Sequence, residues 1–220
     1  MKVRFLLPLL AVFAGLLSGP AFSADEKIKP LIVGMELAYP PFEMTDAAGK
    51  PTGVSVDLAT DLGRYLGRPV VIENMAFDGL IPALKTGKVD LVISSLGKNA
   101  EREKVIDFTA AYAPFFQAVF ASKSLNVKSF ADLTGKSVAV TRGAMEDQEL
   151  AKVAPAGVDV KRFEDHAASI SAFVSGQTQA IATSASTAGT IMVKNPQLQT
   201  EYKLLLKDSP NFIGVAKGED

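Results

Sequence analysis

Three short apolar runs between residues 31 and 93 alternate with two stretches of helical periodicity, and this alternation leaves few folds open. "LIVGM" (31–35), "VVIENM" (70–75) and "VDLVI" (89–93) are too short for buried helices and read as strands. "VDLATDLGRYLG" (56–67) places apolar residues at 56, 58, 59, 62, 65 and 66 and stops at Gly67. "DGLIPALKTG" (78–87) is a second helix closed by Gly87, with Pro82 acceptable only near its first turn. Strand–helix–strand–helix–strand requires a parallel sheet with right-handed crossovers. "FEMTDAAGKPTGVSV" (42–56) is a hairpin-like excursion turning at Asp46, Gly49 and Pro51.

The pattern recurs in "SVAVT" (137–141), "AMEDQELAKVA" (144–154), "VDVKRF" (158–163), "DHAASISAFVSG" (165–176) and "QAIAT" (179–183). "IPALKTGKVDLVISS" (81–95) even aligns loosely with "ISAFVSGQTQAIATS" (170–184). Two similar α/β lobes follow. "APFFQAVFA" (113–121) reads as a strand leaving the first lobe and "NFIGVAK" (211–217) as one coming back. Two strand-like crossings make a hinge that bends without disordering.

Composition narrows the function. Lys2 and Arg4 precede an apolar stretch, Phe5 to Leu17, and the small-residue pattern Ala21-Phe22-Ser23. This is a secretory leader, cleaved after Ser23, and it is too short to span a membrane. Removing it leaves 21 basic and 24 acidic residues, a charge of −3, which excludes nucleic acid as a partner. With no cysteine and one histidine, no disulfide and no zinc site is expected.

"ISSLGKNAEREKVIDF" (93–108) puts Arg102 in the first turn of a helix, where the macrodipole disfavours a cation by up to about 1 kcal/mol. In open parallel sheets, ligands sit beyond the carboxyl ends of the strands, beside helix N-termini. A guanidinium fits a carboxylate at two points, and a charge-assisted bond worth about 1.5–3 kcal/mol outweighs the poor placement. The competing view is a surface helix capped by Asn99, with Glu101 and Glu103 neutralising Arg102.

"AYPPFEMTDAAGKPTGVSVDLATDLGRYLG" (38–67), "FDGLIPALKTGKVDLVISS" (77–95) and "EREKVIDFTAAYAPFF" (101–116) together resemble the periplasmic amino-acid-binding proteins of ABC importers. The resemblance implies an α/β, two-lobed periplasmic-binding-protein-like (type II) fold. Each lobe would be a mainly parallel sheet with flanking helices, and two crossover strands would join them. The expected divisions are a leader at 1–23, a first lobe at 24–118, a second at 119–210 and a return strand at 211–220. The implied function is capture of a small carboxylate-bearing solute, foremost an amino acid. A monomer without cofactor would deliver it to an inner-membrane ABC permease.

Matched position by position, Glu36 is implied as an acid facing the ligand, and Tyr39 and Phe77 as rings covering it. Ser94, Ser95 and the turn at Gly97 are implied polar contacts, and Arg102 the grip on the α-carboxylate. Ala144 and Met145 open a second-lobe helix whose N–H groups face the same carboxylate. Asp78 reads as a helix cap and His166 as a surface residue near a helix start.

Three positions depart from the pattern. A frequent hydroxyl residue is Gly97 here, and a frequent Gly-Thr-Thr is Gly143-Ala144-Met145. An aspartate that reads the ligand's ammonium is Ser184. A desolvated ammonium needs an acid, so Glu36, Glu146 or Asp147 takes that part, or the ligand has no α-ammonium. Proteins of this resemblance also continue past "FIGVAKGED". The chain therefore reads either as a fragment or as ending early with a helix-docking face uncovered, and lower stability than in a longer relative is expected. The alternatives are a dehydratase using Glu36 as proton donor, and a ligand-sensing domain.

Overall fold

The computed structural model describes residues 28–218; the leader expected at 1–23 lies outside them. Two five-stranded sheets form the two lobes. The first runs in the order 70–74, 31–35, 91–97, 211–216, 106–108, and the second 159–163, 137–141, 180–184, 116–122, 200–208. In each, the first three strands are parallel. A strand arriving from the other lobe is then inserted antiparallel to both neighbours. The expected fold class and both crossings are present. Strand Phe116–Ser122 pairs wholly within the second sheet, so the division expected at 118 falls inside it.

The crossings touch one another. Asn211 N–H donates to Ala113 O at 3.0 Å, Tyr112 N–H to Asn211 O at 2.9 Å and Ser209 N–H to Phe115 O at 2.9 Å. A short antiparallel ribbon is thus the hinge: its hydrogen bonds hold the crossings together while neighbouring dihedrals rotate.

Local chemistry sets the elements that matter to the site. Helix Val54–Leu66 ends where Gly67 turns left-handed (φ 64°) and returns its N–H to Arg64 O and Gly63 O. Its buried face is Val56, Ala59 and Gly63. The apolar stripe read from the sequence ran on to 65 and 66, yet Tyr65 is 87% exposed. Asp46 makes the excursion turn, its Oδ1 accepting from Ala48 N–H at 2.8 Å and Lys50 N–H at 2.9 Å. Asp78 does not cap a helix: it lies inside the 3-10 turn Phe77–Gly79, and no side chain caps that turn.

Strand Leu91–Gly97 runs past the expected end at Ile93, because Leu96 and Gly97 pair with Phe212 and Asn211. Gly97 is therefore a strand residue rather than part of a turn. The register shifts between Phe212 and Gly214, opposite the stretch holding Ser95, whose backbone is left-handed (φ 47°). Helix Ala185–Lys194 and strand Thr200–Asp208 complete the second lobe. An apolar groove of about 750 Å³ lies on the first lobe, lined among others by Leu31, Leu62, Leu66, Leu91 and Val215.

Candidate functional site

The carboxyl ends of the parallel strands in both sheets meet at the cleft between the lobes. Arg102 lies on the one-turn helix Ala100–Glu103, whose N-cap Asn99 accepts from Arg102 N–H. Its side chain is turned inward and only 4% exposed. Nη1 donates to Gly97 O at 2.6 Å, and Nη2 reaches across the cleft to Gly143 O at 3.0 Å. The guanidinium carbon is 5.5 Å from the centre of the Phe77 ring. Glu101 pairs with Lys104 and Glu103 with Lys98, so the surface-helix view does not hold. Burial lowers the Arg102 pKa to about 10, with Glu146 acting in the opposite sense; the group stays cationic at neutral pH.

The other end of the cleft is acidic. Glu36, at the end of strand 31–35, is 3% exposed, and Glu146, in the first turn of helix Met145–Val153, is 1% exposed. Between them lies His166, 3% exposed. Its Nδ1 is 2.8 Å from Glu36 Oε2, its Nε2 3.1 Å from Glu146 Oε1, and its backbone N–H donates to Glu36 Oε1 at 2.6 Å. The Tyr39 ring lies 4.1 Å from the imidazole, and Phe77 meets it edge-on at 5.7 Å. The surface placement expected for His166 is therefore corrected. The helix opens with Asp165 as its N-cap, which aims the next residue into the cleft instead of into solvent.

Of the other expected site residues, Ser94 Oγ accepts from Glu36 N–H at 3.0 Å, which places Glu36. Ser184 spends its hydroxyl at the start of helix 185–194, accepting from Thr187 N–H, while its own N–H donates to the Tyr39 hydroxyl. Ala144 N–H donates to Thr141 O. A Cβ at Gly97 would lie 2.7 Å from Met145 Cε and 2.7 Å from Ser209 Oγ, so a side chain there requires these two side chains to shift. The methionine fills the space where a hydroxyl residue was looked for. Asp147 is held by Arg162 and Gly143 N–H, which leaves Glu36 and Glu146 as the acids facing the cleft.

Sequence reasoning passed over Glu43, which follows Tyr39-Pro40-Pro41-Phe42. It is 1% exposed; its Oε2 accepts from Ser55 at 2.5 Å and Ser95 at 3.2 Å, while Oε1 has no partner. Burial raises its pKa to about 8, against the two serine hydrogen bonds. The unfolded chain releases this proton near 4.5 and the folded chain near 8. Stability should therefore fall as pH rises between those values, by up to about 1.4 kcal/mol per unit. Glu43→Gln should melt close to the wild type at pH 4.5 and above it at pH 7.5. Calorimetry at both pH values checks this; the same shift at both would show that Glu43 carries no extra proton.

The sequence profile of the bacterial extracellular solute-binding proteins, family 3, matches residues 31–213. The chain belongs to this family. It is 37% identical over 184 residues to an L-arginine-binding protein of Pseudomonas aeruginosa, covering 82% of this chain and 69% of that one. It is 40% identical over 134 residues to ABC transporter arginine-binding protein 1 of Escherichia coli, covering 60% of this chain and 54% of the relative. The chain thus spans between about half and two thirds of the length of these two curated relatives. An ancestral arginine-binding protein bound to arginine superposes with a TM-score of 0.81 at 36% identity, over 86% of this chain and 85% of the other. The family membership agrees with the resemblance drawn from the cleft motifs, and the two-lobed architecture agrees with the superposition.

Proposed function

We propose that this family 3 protein captures an amino acid with a cationic side chain between its lobes and delivers it to an inner-membrane ABC permease from the periplasm. The observation that carries the reading is the polarity of the cleft. A buried guanidinium, Arg102, stands at one end, and two buried carboxylates, Glu36 and Glu146, at the other. Tyr39 and Phe77 form the walls between. A molecule with a carboxylate and a separate positive group matches both ends, whereas a plain organic acid that takes the place of His166 leaves the acids unanswered. A cavity of about 290 Å³ opens beside Glu36, lined also by Asn74, Glu164 and Asp165. It gives a long side chain room to extend among acids. Relatives named for arginine support this choice.

In this reading Arg102 takes the ligand carboxylate, exchanging its bond to Gly143 O for it. Ser95, Gly97, Ala144 and Met145 line the middle of the site, and Ser94 and Ser184 position Glu36 and Tyr39. Closure is driven by contacts that exist only when the lobes meet. Isothermal titration with L-arginine, L-lysine, L-glutamine and succinate tests it. Saturable heat with L-arginine, weaker heat with L-glutamine and none with succinate are expected. Silence from all three amino acids, or succinate binding as tightly as L-arginine, would refute the proposal.

A further inference from the structure

We propose that His166 is a tethered occupant of the ligand site: its imidazolium clasps the two lobes and must leave before the cationic group of a ligand can enter. The second half rests on the function proposed above; the clasp itself does not. Both ring nitrogens face carboxylate oxygens, Nδ1 to Glu36 at 2.8 Å and Nε2 to Glu146 at 3.1 Å. Carboxylates only accept, so both nitrogens donate, as only the doubly protonated ring can. One carboxylate belongs to the first lobe and the other to the second, so the cation bridges them.

The bridge and a ligand exclude one another. His166 packs on Tyr39 at 4.1 Å and against Phe77 at 5.7 Å, the rings proposed to cover the ligand. The cavity left among Tyr39, Phe77, Gln117, Met145, Glu146 and His166 is about 10 Å³, on the order of what one water molecule needs and far too small for an amino acid. A ligand held between these rings therefore displaces the imidazole. The displacing group must itself be positive, because Glu36 and Glu146 would otherwise be left buried and unpaired. On the same wall, Gln117 Oε1 is buried with no hydrogen-bond partner. It is a further acceptor for an ammonium or guanidinium.

The displacement has a pH signature. The charged groups facing the ring are Glu36 and Glu146, and the Tyr39 ring stacks on it; the imidazolium in turn acts on Glu43, lowering the pKa that burial has raised, and Arg102 packs on the other partner ring, Phe77. Burial pushes the imidazole down, and the two glutamates more than reverse this, to about 10. A released imidazole has an ordinary pKa near 6.5. Ligand entry therefore expels a proton between those values, and affinity for L-arginine rises with pH there, by at most about tenfold per unit.

His166 is the sole histidine of this chain, so its ring signals in the tag-free chain report directly. By NMR the free protein is expected to hold a protonated imidazole with no titration from pH 5 to 8.5. Saturation with L-arginine should move the signals to those of a solvent-exposed ring titrating near 6.5. His166→Gln should enlarge the radius of gyration of the free protein in small-angle scattering and flatten the pH dependence of L-arginine affinity. A ring that titrates near 6.5 in the free protein, or signals unchanged at saturating L-arginine, overturns the proposal. If L-arginine does not bind, the functional reading fails by itself. The clasp is then judged by the free-protein titration and by the His166→Gln radius, and an unchanged radius refutes it.

Discussion

Arg102→Ala is expected to weaken L-arginine binding by at least about 30-fold while the protein remains folded. Truncating one partner of a buried charge pair costs about 2–5 kcal/mol, much of it from the charge left without a partner. That range is about 30- to 5,000-fold in Kd. The site gives the arginine little substitute: Lys98 pairs with Glu103 and Lys104 with Glu101. The variant also strips Gly97 O of its 2.6 Å donor, and an unsatisfied buried carbonyl costs about 1–3 kcal/mol of stability. A lower Tm should therefore accompany the loss. Arg102→Lys separates the two effects. An ammonium keeps the charge but offers a point, not a planar fork, to Gly97 O, Gly143 O and the ligand carboxylate. It should recover part of the affinity. Titration calorimetry beside thermal melts reads both; an Arg102→Ala protein with wild-type affinity would remove Arg102 from the site.

Arg102 was legible because its rule is local: a strand end, a turn and a cation in the first turn of a helix. The same rule, applied to the second lobe, points to His166, which follows strand Asp159–Phe163 and opens the next helix. It went unread because helical position alone does not say which lobe faces the residue, and the two carboxylates that hold it lie 130 and 20 positions away. Glu43 was hidden for a related reason: its partners Ser55 and Ser95 come from a helix start and a distant strand. Parallel strands flanked by helices announce themselves through period and length, whereas residues 185–210 did not. Strand Thr200–Asp208 alternates burial weakly, since it is an edge strand with two register shifts against 116–122. The strand 91–97 was cut short because its last pairs are with residues 211 and 212, and no local pattern records such a partner.

The largest stability effect is expected at a glycine that touches no ligand. Gly53→Ala should cost about 3–5 kcal/mol, from backbone strain and overpacking together. Gly53 precedes helix 54–66 with φ 115°, outside the range an alanine accepts easily. Its added Cβ would lie 2.4 Å from Phe42 O and 2.8 Å from Pro41 O. These are backbone atoms, so no rotamer change relieves the clash. They are also held from the other side, because Ser55 N–H donates to Phe42 O at 2.8 Å and Phe42 packs edge-on against Phe115 at 5.2 Å. Relief must come from moving the segment 39–43, which carries both Tyr39, the ring stacked on His166, and Glu43. Against a total stability of about 5–15 kcal/mol, such a cost should lower Tm by about 10 °C or more in a domain of this size. Ligand binding should weaken in parallel even where the variant is still folded, because the displaced strand no longer sets Tyr39 against the second lobe. Far-UV melts and titration of the variant at a temperature below its transition test both parts. A Gly53→Ala protein with unchanged Tm would mean that the loop between Pro41 and Gly53 yields at no cost, and that Tyr39 is not held in place from beneath.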